Sequence, residues 1–230
     1  MSLLDYERPS LTTDMVLFRV KDADCVDTRK YADKELQVLL IKRDTEPSKG
    51  MWSLPGGFVD IDEEIFDNVK RKLKMKTGVE GDFYVEQLYT WGDIDRDSRG
   101  RVVSVSFLGL CNNDNYVETF VDRKIIWVNV FDILNGYFGD LAFDHKKIIE
   151  YAFDRLRGKI EYTDIAFNLL PTNFTMGECQ KVYELILGRP ITNFRRKVSH
   201  YVEPTAHKLE GKQFNPATLY TVKKDIDSHF

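Results

Sequence analysis

Cysteine is scarce in this chain. Three of its 230 residues, Cys25, Cys111 and Cys179, stand far apart and odd in number. That pattern argues against a disulfide framework and against a zinc site built on paired thiolates. No catalytic cysteine motif surrounds any of them, and they read as reduced thiols of a cytoplasmic protein. Long apolar runs are also missing: none approaches the ~20 residues that a membrane span needs. Residues 1–14 lack the basic and apolar regions of a secretory signal. Repeats and low-complexity segments are absent. The chain has no strong excess of one charge, with 33 Lys and Arg against 37 Asp and Glu. At 43% hydrophobic and 30% charged residues, it has the balance of a soluble globular protein.

The charge is unevenly spread. From residue 155 onward there are 12 Lys and Arg against 8 Asp and Glu, and before it 21 against 29. A basic second part beside an acidic first part points to a polyanionic partner for the tail, or to chance. The length suits one large domain or two ordinary ones. The sign change places a boundary at residues 158–164, which gives a first domain 1–157 and a second 158–230.

Periodicity predicts strands over 13–20, 35–43, 83–91, 102–111 and 124–130, with Met15 to Phe18 apolar enough for burial on both faces. A loop is expected at 21–34. Helices are expected over 62–76, with Ile65, Phe66, Val69 and Leu73 at helical spacing, and over 144–157, with Ile148, Ile149, Ala152, Phe153 and Leu156 on one face. Strands interrupted by one helix fit an α/β/α sandwich around a mixed sheet.

Between the second and third strands, Gly56-Gly57 is followed by the acids Asp60, Asp62, Glu63 and Glu64, then by Arg71-Lys72-Leu73-Lys74-Met75-Lys76-Thr77-Gly78-Val79. This stretch resembles the Nudix box, Gly-x5-Glu-x7-Arg-Glu-U-x-Glu-Glu-x-Gly-U with U apolar. Gly57, Glu63, Arg71, Leu73 and Gly78 fall at the family's positions. The resemblance implies a site in which three glutamates on one helix face hold Mg²⁺ to cleave a diphosphate. Here those positions are Lys72, Met75 and Lys76. A like charge ~4 Å from a cation costs about 4 kcal/mol at an effective dielectric of ~20, so two ammonium groups repel the ion that carboxylates would seat. The box is read as degenerate, with no catalytic residue, metal or cofactor expected from it. The acids at 60–64 are either helix-start charges or a rebuilt metal site.

In the second part, Thr175 and Glu178 form a Thr-x-x-Glu capping box behind Phe174. A helix is expected over 176–187, stopped by Gly188 and Pro190. A second helix is expected near Thr192, with Phe194, Val198 and Tyr201 facing inward and Arg195, Arg196 and Lys197 facing out or flanking. Two short strands, 202–205 and 219–222, close the chain. Helix, turn, basic helix and hairpin is the layout of a winged helix-turn-helix; a dimerisation module with a solvated basic face is the alternative.

Over residues 13–222 the chain is similar to the Nudix-related transcriptional regulators of bacteria. The carrying segments include Arg96-Asp97, Arg101-Val102-Val103-Ser104-Val105, Ala142-Phe143-Asp144-His145, Ala166 to Pro171, Leu187-Gly188-Arg189-Pro190 and Asn193 to Lys197. The resemblance implies a homodimer that binds operator DNA and senses a small effector, ADP-ribose in connection with NAD metabolism or, in one branch, a sugar such as arabinose. The segment 208–216 is poorer in Arg and Gly than the wing of relatives. Candidate effector contacts are Trp52, Phe58, Arg96, Arg99 and Arg101; candidate DNA contacts are Arg189, Asn193, Arg195, Arg196, Lys197, Lys208 and Lys212. His145 reads as a structural partner near a helix start. The competing expectations are a Nudix hydrolase acting on ADP-ribose with a non-standard metal site, and a ligand-binding scaffold without DNA affinity.

Overall fold

A computed structural model describes residues 6–23, 33–112, 114–117, 124–208 and 217–223. Its elements are β1 (Ser10–Asp22), β2 (Lys34–Lys42), β3 (Trp52–Ser53), β4 (Gly56–Phe58), α1 (Ile65–Thr77), β5 (Glu80–Gly81), β6 (Tyr84–Trp91), β7 (Val102–Cys111), β8 (Tyr116–Val117), β9 (Ile125–Asn129), α2 (Val130–Leu134) and α3 (His145–Lys159). A 3-10 turn (Ile165–Leu169), β10 (Phe174–Thr175), α4 (Met176–Leu187), α5 (Phe194–Val198), β11 (Val202–Lys208) and β12 (Thr218–Val222) follow.

The main sheet is mixed, as expected. Its order is β3-β2-β1-β7-β6, with β4 on β1 and β9 on β2. β1 and β7 run parallel while β1 and β2 are antiparallel. Because side chains alternate across a strand, the apolar run of β1 divides itself between two cores. Met15 and Leu17 meet Val69 and Leu73 of α1, whereas Val16 and Phe18 meet Ile148, Ala152 and Phe153 of α3. All five residues expected on the inner face of α3 are buried. On α1 the expectation is corrected: Val69 and Leu73 are buried, but Ile65 and Phe66 remain 37% and 41% exposed. The helix begins at Ile65, three residues later than expected, so both lie in its first turn at the margin of the sheet. Phe66 reaches only the edge of Phe107, with ring centres 6.0 Å apart. Gly78 closes α1 in the left-handed region (φ 69°) and bonds back to the Lys74 carbonyl.

The second part is a winged helix. The capping box forms: the Glu178 amide donates to Thr175 Oγ1 (3.1 Å), and the Thr175 amide donates to the Glu178 carboxylate (2.8 Å). Gly188 ends α4 at φ 67°. α5 is shorter than expected. Phe194 and Val198 are buried on it, but Tyr201 has left the helix and instead approaches Phe167, ring centres 5.8 Å apart. Strands β11 and β12 pair, and β10 adds a third strand to that sheet. The loop expected at 21–34 and the wing tip fall largely outside the described residues.

One apolar cluster runs through both parts, from Val16, Leu40 and Leu108 of the sheet to Phe167, Val182, Tyr183, Phe194 and Val202 of the winged helix. Cys111 and Cys179 are buried; Cys25 lies outside the described residues. Among the described residues no helix is long and apolar enough to cross a membrane.

Candidate functional site

The paired glycines let β4 press against β1. A Cβ on Gly56 would land on the Thr13 carbonyl oxygen and 2.5 Å from Asp14 Oδ1. At Gly57 the obstacle is only the flexible Lys72 stem, at 3.2 Å. The harder constraint is therefore at Gly56, one residue before the glycine of the box. This close approach forms one wall of a cavity of about 240 Å³. Asp14 from β1, Phe58 from β4 and Lys76 from α1 line it, together with Arg43, Phe143 and His145 from neighbouring segments and Arg96, Asp97 and Arg99 from the loop before β7.

A buried ionic network forms its floor. Arg96, with its side chain 5% exposed, donates through Nε and Nη2 to both oxygens of Asp144 at 3.0 and 2.8 Å. Its Nη2 is also 3.6 Å from Asp14 Oδ2. Asp14 accepts from Ser104 Oγ at 2.6 Å. Nδ1 of His145 accepts the Leu54 amide at 2.8 Å, and its Nε2 lies 3.6 Å from Asp14 Oδ1. Burial lowers the His145 pKa, so the ring is neutral and carries its proton on Nε2, facing Asp14. His145 is thus the structural partner expected of it.

The rim is cationic and aromatic. Arg99 donates Nε and Nη2 to Asp97 (3.0 and 2.6 Å), and that pairing holds the Asp97 pKa below the usual carboxylate range. Its guanidinium lies 5.1 Å from the centre of the Phe58 ring. Arg43 lies 4.7 Å from the centre of Phe143 and donates Nε to the Pro47 carbonyl at 2.9 Å. Burial and the neighbouring Arg99 lower the Arg43 pKa. Lys76 lines the cavity, and the protein atoms around it lower its pKa, with Arg43 and Lys72 adding to the effect.

The remaining box residues face elsewhere. Arg71 donates to Glu63 through Nε and through Nη2 (2.6 Å) and to Asp60 Oδ2 (2.6 Å). Asn68, fully buried, donates to Glu63 (2.7 Å) and to the Phe58 carbonyl (2.9 Å) while accepting from Thr13 Oγ1 (2.6 Å). Met75 is 69% exposed. A divalent cation of the kind the box implies does not fit these residues. Two of its three carboxylate positions carry ammonium groups and the third a thioether, and Glu63 spends its lone pairs on Arg71 and Asn68. The acids at 60 and 63 thus anchor the box arginine.

Of the candidate effector contacts, the fold brings Phe58, Arg96 and Arg99 together in the cavity. Trp52 and Arg101 are placed elsewhere. Trp52 is half-buried with its ring under Lys42 Nζ (5.7 Å), because β3 pairs with β2 and turns it away. Arg101 donates Nη1 to the Gly92 carbonyl (2.6 Å) and lines a separate shallow pocket with Ile94 and Ser98. Sequence reasoning missed Asp14, Arg43, Asp97 and Phe143 as cavity residues, and Asp144 as the partner of Arg96. One signal was available: an acid, Asp14, stands directly before the apolar run Met15 to Phe18 of β1.

Of the candidate DNA contacts, Arg195 and Arg196 are exposed on α5, and Asn193 caps it at φ 56°. Lys197 is half-buried, its Nζ 5.5 Å from the Tyr183 ring centre. Arg189 is paired with Glu161 at 2.8 Å. Lys208 ends β11, and Lys212 lies outside the described residues.

Comparison with known proteins agrees with both halves of this arrangement. A family model described as the NUDIX domain matches residues 25–151, and one described as the NrtR DNA-binding winged helix domain matches residues 166–222. The chain is 37% identical over 235 residues to the ADPR responsive transcriptional repressor NtrR of Acinetobacter baylyi, covering 98% of this chain and 87% of the relative. Shewanella oneidensis NrtR, solved in complex with a 27mer DNA, superposes with a TM-score of 0.75 at 36% identity over 93% of each chain. The NUDIX domain of that protein, solved with ADP ribose, gives a TM-score of 0.53 at 36% identity over 68% of this chain and 94% of the other.

Proposed function

We propose a function from one premise: the chain belongs to the Nudix-domain regulators that carry an NrtR winged helix. On that premise it is an ADP-ribose-responsive transcriptional repressor, with residues 1–157 sensing the effector and residues 158–230 reading operator DNA. The observation that carries the reading is the cavity itself, which gathers Arg43, Arg96, Arg99 and Lys76, the last standing at a box position where the family has glutamate. Such a cavity suits a phosphorylated nucleotide better than a neutral sugar.

Effector and operator communicate only if the effector binds the DNA-competent and incompetent states unequally. α3 offers the route. Its N-cap Asp144 and first residue His145 belong to the ionic network beneath the cavity, and its far end leads into the apolar cluster shared with the winged helix. An anion that competes for Arg96 loosens Asp144 and with it the seating of α3. As a homodimer, the protein presents two α5 helices to two half-sites of a pseudo-palindromic operator, which places it with the chromosome in the cytoplasm.

The test is a mobility-shift assay on the DNA upstream of the chain's own gene. Binding is expected at low salt, weakening steeply as salt rises, and released by ADP-ribose. A complex that forms but ignores ADP-ribose sinks the effector assignment; no complex at low salt sinks the regulator.

A further inference from the structure

The buried face of α3, with Ile148, Ile149, Ala152, Phe153 and Leu156, is apolar. Apolar contact is non-directional, so it holds the helix on the sheet without fixing its place along it. Directional bonds do that at both ends. At the cavity end Arg96 grips Asp144. At the far end Glu86 of β6 accepts from Lys159 Nζ and Tyr84 Oη on one oxygen, both at 2.6 Å, and from Arg155 Nε on the other at 3.3 Å. Arg155 and Lys159 are neighbours one turn apart on the helix, so a single carboxylate clamps a whole turn of α3 to the sheet. The clamp is largely out of water, with the side chains of Glu86 and Lys159 14% and 16% exposed. Burial alone would raise the Glu86 pKa, but the bonds from Lys159 and Tyr84 outweigh it and lower it. Just beyond the clamp the chain enters the winged helix. Thr163 Oγ1 donates back to the Lys159 carbonyl (2.8 Å), and Glu161 pairs with Arg189 past the end of α4 (2.8 Å).

We propose that Glu86 is the pivot of the link between cavity and winged helix, a positioning residue that clamps Arg155 and Lys159 so that α3 turns about its far end. The inference rests on the reading that ADP-ribose releases the operator, and it adds a residue outside the cavity and outside the winged helix on which that release depends. When the Arg96–Asp144 anchor loosens, a helix held at Glu86 rotates about the clamp. Glu161 and Thr163, just past the pivot, turn with it and carry the winged helix. Without the clamp α3 shifts along its apolar seat, and the change at the cavity is absorbed inside the helix. Both states of the cavity are then compatible with one placement of the winged helix, and an effector that no longer distinguishes two states shifts nothing. Charge-assisted bonds suit this role, because they are both stronger and more directional than the apolar contacts beside them.

The test measures three quantities on the full chain: operator affinity alone, ADP-ribose affinity by isothermal titration, and operator affinity at saturating ADP-ribose. The ratio of the two operator affinities is the coupling factor, typically about 5- to 150-fold between linked sites. Glu86→Gln is expected to keep each separate affinity within about threefold of wild type while its coupling factor falls about fivefold or more, toward one. Lys159→Gln, which leaves Glu86 its bonds from Arg155 and Tyr84, is expected to do the same more mildly, and it stands in if Glu86→Gln does not fold. Ile149→Val cuts into the apolar face of α3 but spares the clamp, and it is expected to keep the wild-type factor. A coupling factor unchanged in the clamp variants, including one that persists while both affinities fall, makes Glu86 merely structural and overturns the proposal. An equal loss of coupling in Ile149→Val also overturns it, since any loosening of α3 would then suffice. Wild type that binds its operator but is not released by ADP-ribose overturns the effector reading instead.

Discussion

Glu63 stays ionised far into acid because Arg71 donates two bonds to it and Asn68 a third. Its pKa falls from 4.5 to about 2, with the Arg71 bond the largest cause. A carboxyl depressed in the folded state stabilises fully above its unfolded pKa and loses that contribution as pH falls through the folded one. The stability it supplies is therefore complete above about pH 4.5 and drains away toward about pH 2. In Arg71→Ala the urea midpoint is expected to fall less steeply with pH across that window than in wild type; parallel curves would contradict the pairing. The resemblance to the Nudix box identified Gly57, Glu63 and Arg71. It carried no hint of Asn68, because an asparagine in a helical pattern looks like any solvated residue. Its role exists only once Thr13 and the Phe58 carbonyl arrive beside it from β1 and β4.

Two elements carry the working ends of the molecule. α3 begins at the cavity floor, where Asp144 balances a nearly buried arginine. Removing one partner of a buried pair costs about 3–5 kcal/mol. Asp144→Ala is expected at the low end, since Asp14 remains 3.6 Å from the same guanidinium, and chemical denaturation measures it. α5 is only five residues long, yet Arg195 and Arg196 stand exposed on it. Arg196→Ala is expected to weaken operator binding and, if it contacts phosphate, to reduce the slope of log affinity against log salt by about one. An unchanged affinity would remove it from the interface. The apolar spacing of this region marked Phe194 and Val198 correctly but carried the helix too far. A period of 3.6 continues through Tyr201 in the sequence, whereas the chain turns after Val198 to begin β11.

At the scale of the whole molecule, the apolar cluster that crosses from the sheet into the winged helix ties the two parts into one folding unit. Unfolding by denaturant is expected as a single transition, with fluorescence and far-UV circular dichroism coincident; two separated transitions would show that the parts fold independently. The sequence by itself determined the mixed sandwich, the order of strands around the box helix, the capping box and stop glycine of α4, and the loss of carboxylates at the box. These are local: they rest on side-chain period, turn chemistry and residue type, which adjacent residues settle among themselves. Only the tertiary structure decided which charges meet. Asp14 and Asp144, or Arg43 and Lys76, are far apart along the chain, and whether a charge is balanced, buried or left facing a cavity depends on its neighbours in space.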